Sequence, residues 1–149
     1  MTRHGEVECE ARIRTSFARQ GLMSTLGATL VAVAPGHVEI ALTPLPAISQ
    51  QHGFVHAGGV SAIADTAAGY AALSLMPSGR GVLTTEFKIN LVAPATGKRI
   101  LARGKVVKSG RTLTLAQAEV FAETDGKERL VALLTAIMMA IEDREGITD

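Results

Sequence analysis

Tryptophan is missing from this 149-residue chain, and its aromatics number only five, four Phe and one Tyr. Charge of neither sign dominates, since 15 basic and 14 acidic side chains leave a net +1. A dedicated nucleic-acid binder is not expected, because both phosphate attraction and base stacking lack their residues. Cysteine occurs once, at Cys9, so no disulfide can close within the chain and a reducing compartment fits.

Long hydrophobic runs are wanting too. Ala57 to Met76 holds Asp65 near its centre and is otherwise mostly Ala, Gly, Ser and Thr. A central Asp costs roughly 2.5–3.5 kcal/mol on insertion scales, more than weakly apolar residues offset. Leu130 to Ile141 is apolar but too short to span a bilayer. The first residues, with Arg3, Glu6, Glu8 and Glu10, lack the apolar stretch of a secretion signal. The expectation is a soluble, cytoplasmic protein with no membrane partner.

What the chain has in abundance is small residues, 23 Ala and 15 Gly in 15.6 kDa, at 47% hydrophobic overall. That composition excludes disorder and suits one domain whose backbones pack closely. Ile13, Phe17 and Leu22 predict a helix over about Glu8–Met23, with Gly21 near its end. Gly27–Ala34 and His37–Thr43 read as strands around the Pro35-Gly36 turn. After an irregular Pro44–Val55 comes one long helix, His56–Met76, stopped by Pro77-Ser78-Gly79. Four further strands are predicted at Val82–Ala93, Lys98–Lys108, Thr112–Ala122 and Arg129–Ile141, and short turns predict their pairing as an antiparallel meander. The fold class is α+β: one curved antiparallel sheet around one Ala-rich helix. It divides into an N-terminal helical segment 1–23, a domain 24–142 and a tail 143–149.

Common catalytic signatures fail. Gly59-Val60-Ser61-Ala62-Ile63 lacks the second glycine of a nucleophile elbow, and neither a phosphate loop nor a dinucleotide fingerprint occurs. His52 and His56 have no third ligand nearby, so no metal site is expected. Cys9 precedes or opens the terminal helix and reads as an unremarkable small side chain, not a nucleophile. One stretch does combine useful features: Gln50-Gln51-His52-Gly53-Phe54-Val55-His56-Ala57-Gly58-Gly59 runs into the helix that carries Asp65. A glycine-rich helix start offers free N–H groups at the positive end of the macrodipole, suited to an oxyanion. A Gln amide just before it adds a donor. Asp65 lies among Ile63, Ala64, Ala67 and Ala68, where desolvation perturbs a carboxylate. The same residues would equally serve a tight turn and a wet helix face.

The run His56 to Ala68 strongly resembles the His-Gly-Gly…Asp motif of hotdog-fold acyl-CoA thioesterases, in particular the phenylacetate-degradation type. Thr84-Thr85-Glu86-Phe87 through Pro94-Ala95 resembles that family's strand after the helix, and Ser109-Gly110-Arg111 its Gly-Arg hairpin. The resemblance spans about Ser24 to Ile141. It implies a hotdog domain that hydrolyses acyl-CoA thioesters without metal or cofactor, coenzyme A being part of the substrate. It implies Asp65 as general base or nucleophile, with Gln50 and the Ala57 N–H as oxyanion donors. Ala57 departs from the usual Gly. His56 would orient the loop beside Gly58, and Thr84 would assist the attacking water. One branch has a Thr four residues after the carboxylate, where this chain has Gly69.

Arg80, Lys108 and Arg111 are candidates for the coenzyme A phosphates. Phe54, Tyr70, Leu73, Met76 and Phe87 are candidates for shaping the acyl pocket. The resemblance also implies homodimers, often paired into tetramers. Eight residues separate Ala57 from Asp65, so a site using both is expected to draw them from different chains. The alternatives are a hotdog enoyl-CoA hydratase or dehydratase, and a non-catalytic acyl-CoA sensor.

Overall fold

Gly36, at φ 75°, turns β1 (Thr29–Ala34) back into β2 (His37–Leu42), the hairpin that Pro35-Gly36 predicts. The computed structural model describes residues 3–142 and 144–147, and only the backbone of Arg3 and His4. The outermost positions of the segments 1–23 and 143–149 therefore lie outside the described residues. Helices α1 (Arg3–Ala18) and α2 (Gly21–Leu26) precede the hairpin, and α3 (Ala57–Leu73) follows it. Then come β3 (Gly81–Leu91), β4 (Arg99–Lys108), β5 (Leu113–Thr124) and β6 (Lys127–Ile141). All pairings are antiparallel, in the order β1-β2-β4-β5-β6-β3.

Three expectations need correction. The helix read as Glu8–Met23 begins earlier and breaks at Arg19-Gln20. There the N–H groups fall back on Ser16 and Phe17 carbonyls, and Gln20 adopts extended backbone. Gly27, at φ 68°, then closes α2 with the paired Gly27 N–H to Ser24 O and Ala28 N–H to Met23 O bonds of a Schellman cap. The long helix ends at Leu73 instead of Met76. Its last turn tightens, with the N–H groups of Leu75 and Met76 reaching the carbonyls of Ala72 and Leu73. The Arg12 guanidinium of α1 donates to the Leu73 and Met76 carbonyls at 2.6 and 3.1 Å, a cation at the negative end of the helix.

The third correction is topological. Only β4, β5 and β6 form a meander; β3 sits beyond β6 at the sheet edge. The connection from Leu91 to Arg99 is too long for a tight hairpin. It is pinned across the sheet end by Val92 and Ala93 N–H groups on Val131 O, and by Val55 N–H on Ala95 O.

The sheet curls around α3, whose Val60, Ile63, Ala64, Ala67, Ala68, Ala71 and Ala72 are buried. Alanines let the helix lie close to β4, and the closest approach is at Gly104. A Cβ there would stand 2.2 Å from the Ala67 carbonyl oxygen, with no flexible side chain able to move aside. Gly104→Ala should therefore cost at least the ~1–3 kcal/mol typical of overpacking. Thermal unfolding should show a drop in Tm of several degrees; an unchanged Tm would refute this account of the helix–sheet contact. Among the described residues, no helix is long and apolar enough to cross a membrane.

Candidate active site

Helix α3 begins with its donors almost fully assigned. His56 is the N-cap, at φ −59° and ψ 141°, and its Nδ1 accepts the Gly58 N–H at 2.8 Å. The ring nitrogen is thereby an acceptor, and the proton of a neutral imidazole belongs on Nε2. The Gly59 and Val60 N–H groups go to His56 O at 2.9 and 3.1 Å, and the His56 N–H goes to Ile48 O. Among the described residues, Ala57 is left as the first-turn position whose N–H meets no acceptor. It stands at the positive end of a 17-residue helix.

Gln50 is placed by a turn closed on itself. Its N–H donates to Phe54 O at 2.8 Å, and its carbonyl accepts the Gly53 N–H at 3.0 Å. Gly53 takes φ 85°, a conformation that favours glycine. The side-chain Oε1 accepts the His52 N–H, so the amide NH2 remains to donate outward. Gln50, His56 and Ala57 share a cavity of about 520 Å³ with Phe54, Val60 and Leu91. Gln51 does not line it: that side chain is exposed, with its amide 3.4 Å from His52 Nε2. Gly58 holds its place in the loop, but its N–H is taken by His56.

Asp65 lies two turns further along α3, half-buried, and accepts the Thr84 hydroxyl at 2.8 Å. Burial pushes its carboxyl above the usual Asp range, and the Thr84 bond pulls part of the way back. Thr84 reaches it because β3 carries a bulge at this point: Thr84 faces Met138 and Glu86 faces Ile137, leaving Thr85 as the extra residue. The Thr85 hydroxyl then donates to the Ile137 carbonyl at 3.1 Å. Bulges commonly re-aim side chains beside active sites. Sequence reading had no sign of this one beyond the Thr84-Thr85 pair.

The donors and the carboxylate do not meet within one chain. Eight residues of helix separate Ala57 from Asp65, about 12 Å at the helical rise. Asp65 and Thr84 line a different hollow, a recess of about 230 Å³ shared with Gln20, Thr66, Gly69 and Tyr70.

Other predicted residues scatter. Leu73 is in the core, and Met76 lines a hollow with Cys9 and Arg12 at the far end of α3. Neither shapes the site, because α3 carries them past it. Phe87 is exposed on β3, whereas Phe54 and Tyr70 do line the two hollows. Arg80 pairs with Glu142 and donates to the Arg111 carbonyl. Lys108 and Arg111 are exposed at the sheet end opposite the Ala57 cavity. The Cys9 thiol is buried, which raises its pKa.

A family model described as the thioesterase superfamily matches residues 52–128, just over half of the chain. The chain belongs to the thioesterase superfamily. The match runs from the turn before α3 through Asp65 and Thr84 into β6. A thioesterase family protein from Silicibacter pomeroyi is 50% identical; the alignment covers 91% of this chain and 99% of that one, at a TM-score of 0.88. The Escherichia coli PaaI protein of the phenylacetic acid degradation operon superposes at 0.82, with 19% identity over 96% and 97% of the two chains. The Haemophilus influenzae thioesterase HI1161 superposes at 0.78, with 21% identity over 88% and 90%. No curated protein matches the chain significantly. The fold of this thioesterase is thus the hotdog expected from its motifs, and its chemistry is thioester hydrolysis.

Proposed function

We propose that this thioesterase hydrolyses small or medium acyl-CoA thioesters, aromatic acyl groups included, at a site shared between two copies of the chain. The observation that carries this is the unassigned Ala57 N–H beside the Gln50 amide in one cavity. Attack on a thioester builds negative charge on the carbonyl oxygen, and two preorganised donors stabilise it. Asp65, with Thr84 on its carboxylate, acts as general base on water or as nucleophile on the carbonyl carbon. In the base role it takes a proton from water as the oxygen attacks. The tetrahedral intermediate then collapses, expelling the coenzyme A thiolate. The substrate's thiol is a good leaving group, so neither a metal nor a Ser–His pair is needed.

The attacking group must come within about 3 Å of the carbon whose oxygen Ala57 holds. One helix cannot meet both demands, so Asp65 comes from the partner. Strand β3 supports this arrangement. It is an eleven-residue sheet edge, and Phe87 and Leu91, on its helix-side face, are 46% and 51% exposed. An uncovered apolar edge of that length invites pairing. Two chains related by a twofold axis would place each Asp65 opposite the partner's Ala57. Such dimers can pair again into tetramers. Lys108 and Arg111, which form no ion pair among the described residues, are the candidates for the coenzyme A phosphates; Arg80 is committed to Glu142.

Release of free thiol from a panel of acyl-CoAs tests this reading. Turnover is expected on at least one short, medium or aryl member. Saturable binding without thiol release would make the protein a sensor, and addition of water to enoyl-CoAs would make it a hydratase.

A further inference from the structure

The Thr84 hydroxyl carries one proton and faces two acceptors. It stands 2.8 Å from Asp65 Oδ1 and 3.4 Å from the Met138 sulfur. Met138 sits directly across the β3–β6 pairing from Thr84 and is fully buried. Its thioether end lies against α3 at Gly69, where an added Cβ would stand 3.9 Å from Sδ and 4.0 Å from Cε. On its other side β5 sets Thr114 opposite Met138, and that buried hydroxyl finds no partner among the described residues. The sulfur therefore serves one hydroxyl, that of Thr84.

A thioether is much the weaker acceptor, so an ionised Asp65 takes the Thr84 proton. A protonated Asp65 reverses the demand. Its own O–H needs an acceptor, and the Thr84 oxygen is in place at 2.8 Å. The Thr84 proton is then displaced, and on the buried side the acceptor within reach is Sδ. A leucine there would offer only hydrocarbon. Thr84 is exposed towards the recess, so water reaches its other side and the effect of the sulfur is moderate. No charged group of the recess takes over this task. Tyr70 is the only other lining residue that titrates, and its hydroxyl donates to Ser16 and accepts from Gln20. Burial already favours the protonated carboxyl.

We propose that Met138 is a positioning residue whose sulfur receives the Thr84 proton whenever Asp65 is protonated, and so supports Asp65 as the base that deprotonates water. The proposal rests on the thioesterase reading and deepens it, choosing the base over the nucleophile. As water attacks, one of its protons passes to Asp65 and its oxygen bonds the carbonyl carbon. The carbonyl π electrons move to the oxygen held by the partner's Ala57 and Gln50. Thr84 then turns, accepting from Asp65 and donating to Sδ. The thiolate leaves with the C–S electrons and takes the proton from Asp65, and Thr84 turns back.

Carboxyl-carbon NMR of Asp-labelled protein reads the titration without any substrate. The chain has four Asp, and Asp65→Asn identifies the Asp65 signal. Met138→Leu nearly conserves volume, a swap that cores tolerate. It should lower the proton affinity of Asp65 by about twofold to threefold, the size of one weak hydrogen bond. The acid limb of kcat/KM should move to lower pH with it, and kcat should fall by less than that factor while KM holds. Met138→Ile should act alike with a different shape, and it serves as the readout should Met138→Leu fold poorly. In a Thr84→Val background Met138→Leu should change nothing, whereas Thr84→Ser, which keeps the hydroxyl, should retain the effect. An unchanged or raised midpoint in the Met138 variants, or a shift that persists beside Thr84→Val, overturns the proposal and leaves the thioesterase reading intact. Absence of thiol release across the whole acyl-CoA panel overturns both.

Discussion

Asp65→Asn is expected to lower thioester turnover by a factor of about a hundred to ten thousand, the range supplied by a positioned base. The amide matches the carboxylate in shape but neither accepts a proton nor attacks carbon. Loss should fall on kcat and kcat/KM together, because the lost interaction belongs to the transition state. Near wild-type turnover in the variant would remove Asp65 from the mechanism. In the wild type the acid limb of kcat/KM should lie above the ordinary Asp range, since burial raises this carboxyl.

The same shift dictates the sign of the stability change. A folded-state pKa above the unfolded one means the native protein binds its proton more tightly, so stability declines as pH rises between the two values. Above the folded-state value the ionised Asp65 is a cost to the fold. Asp65→Asn should thus be at least as stable as wild type in thermal unfolding while being far less active.

The second large effect is recovery of activity from two dead parents. Asp65→Ala and Gln50→Ala chains, each inactive alone, are mixed under conditions of subunit exchange. In the mixed dimer one site collects both lesions and the other collects none. Random exchange makes half of the dimers mixed, so activity should return to about a quarter of wild type. A mixture that exchanges, as shown by mass-tagged subunits, yet stays as inactive as its parents would mean that each site is built within one chain.

Much of this protein is local, and the local part was legible. Pro35-Gly36 and the Gly58-Gly59 helix start mark their turns because glycine and proline act on their own backbone. The Ala-rich face of α3 announces close packing for the same kind of reason. The break at Gln20 was not legible, because Ile13, Phe17 and Leu22 keep helical spacing straight through it.

What the residues determined by themselves was the identity of the chemical groups: a helix start with a donor to spare, an amide before it and a carboxylate two turns on. Spacing along one helix also requires those groups to act from two chains if they act together, since 1.5 Å per residue admits no other geometry. Tertiary structure alone decided the rest. It sent β3 past β5 and β6 to the sheet edge, brought Thr84 to Asp65 through a bulge, set Gly104 against Ala67 and carried Gln20 to Tyr70. Each of these joins residues far apart in the chain. Such contacts follow from how whole elements pack, and no single stretch of sequence carries that information.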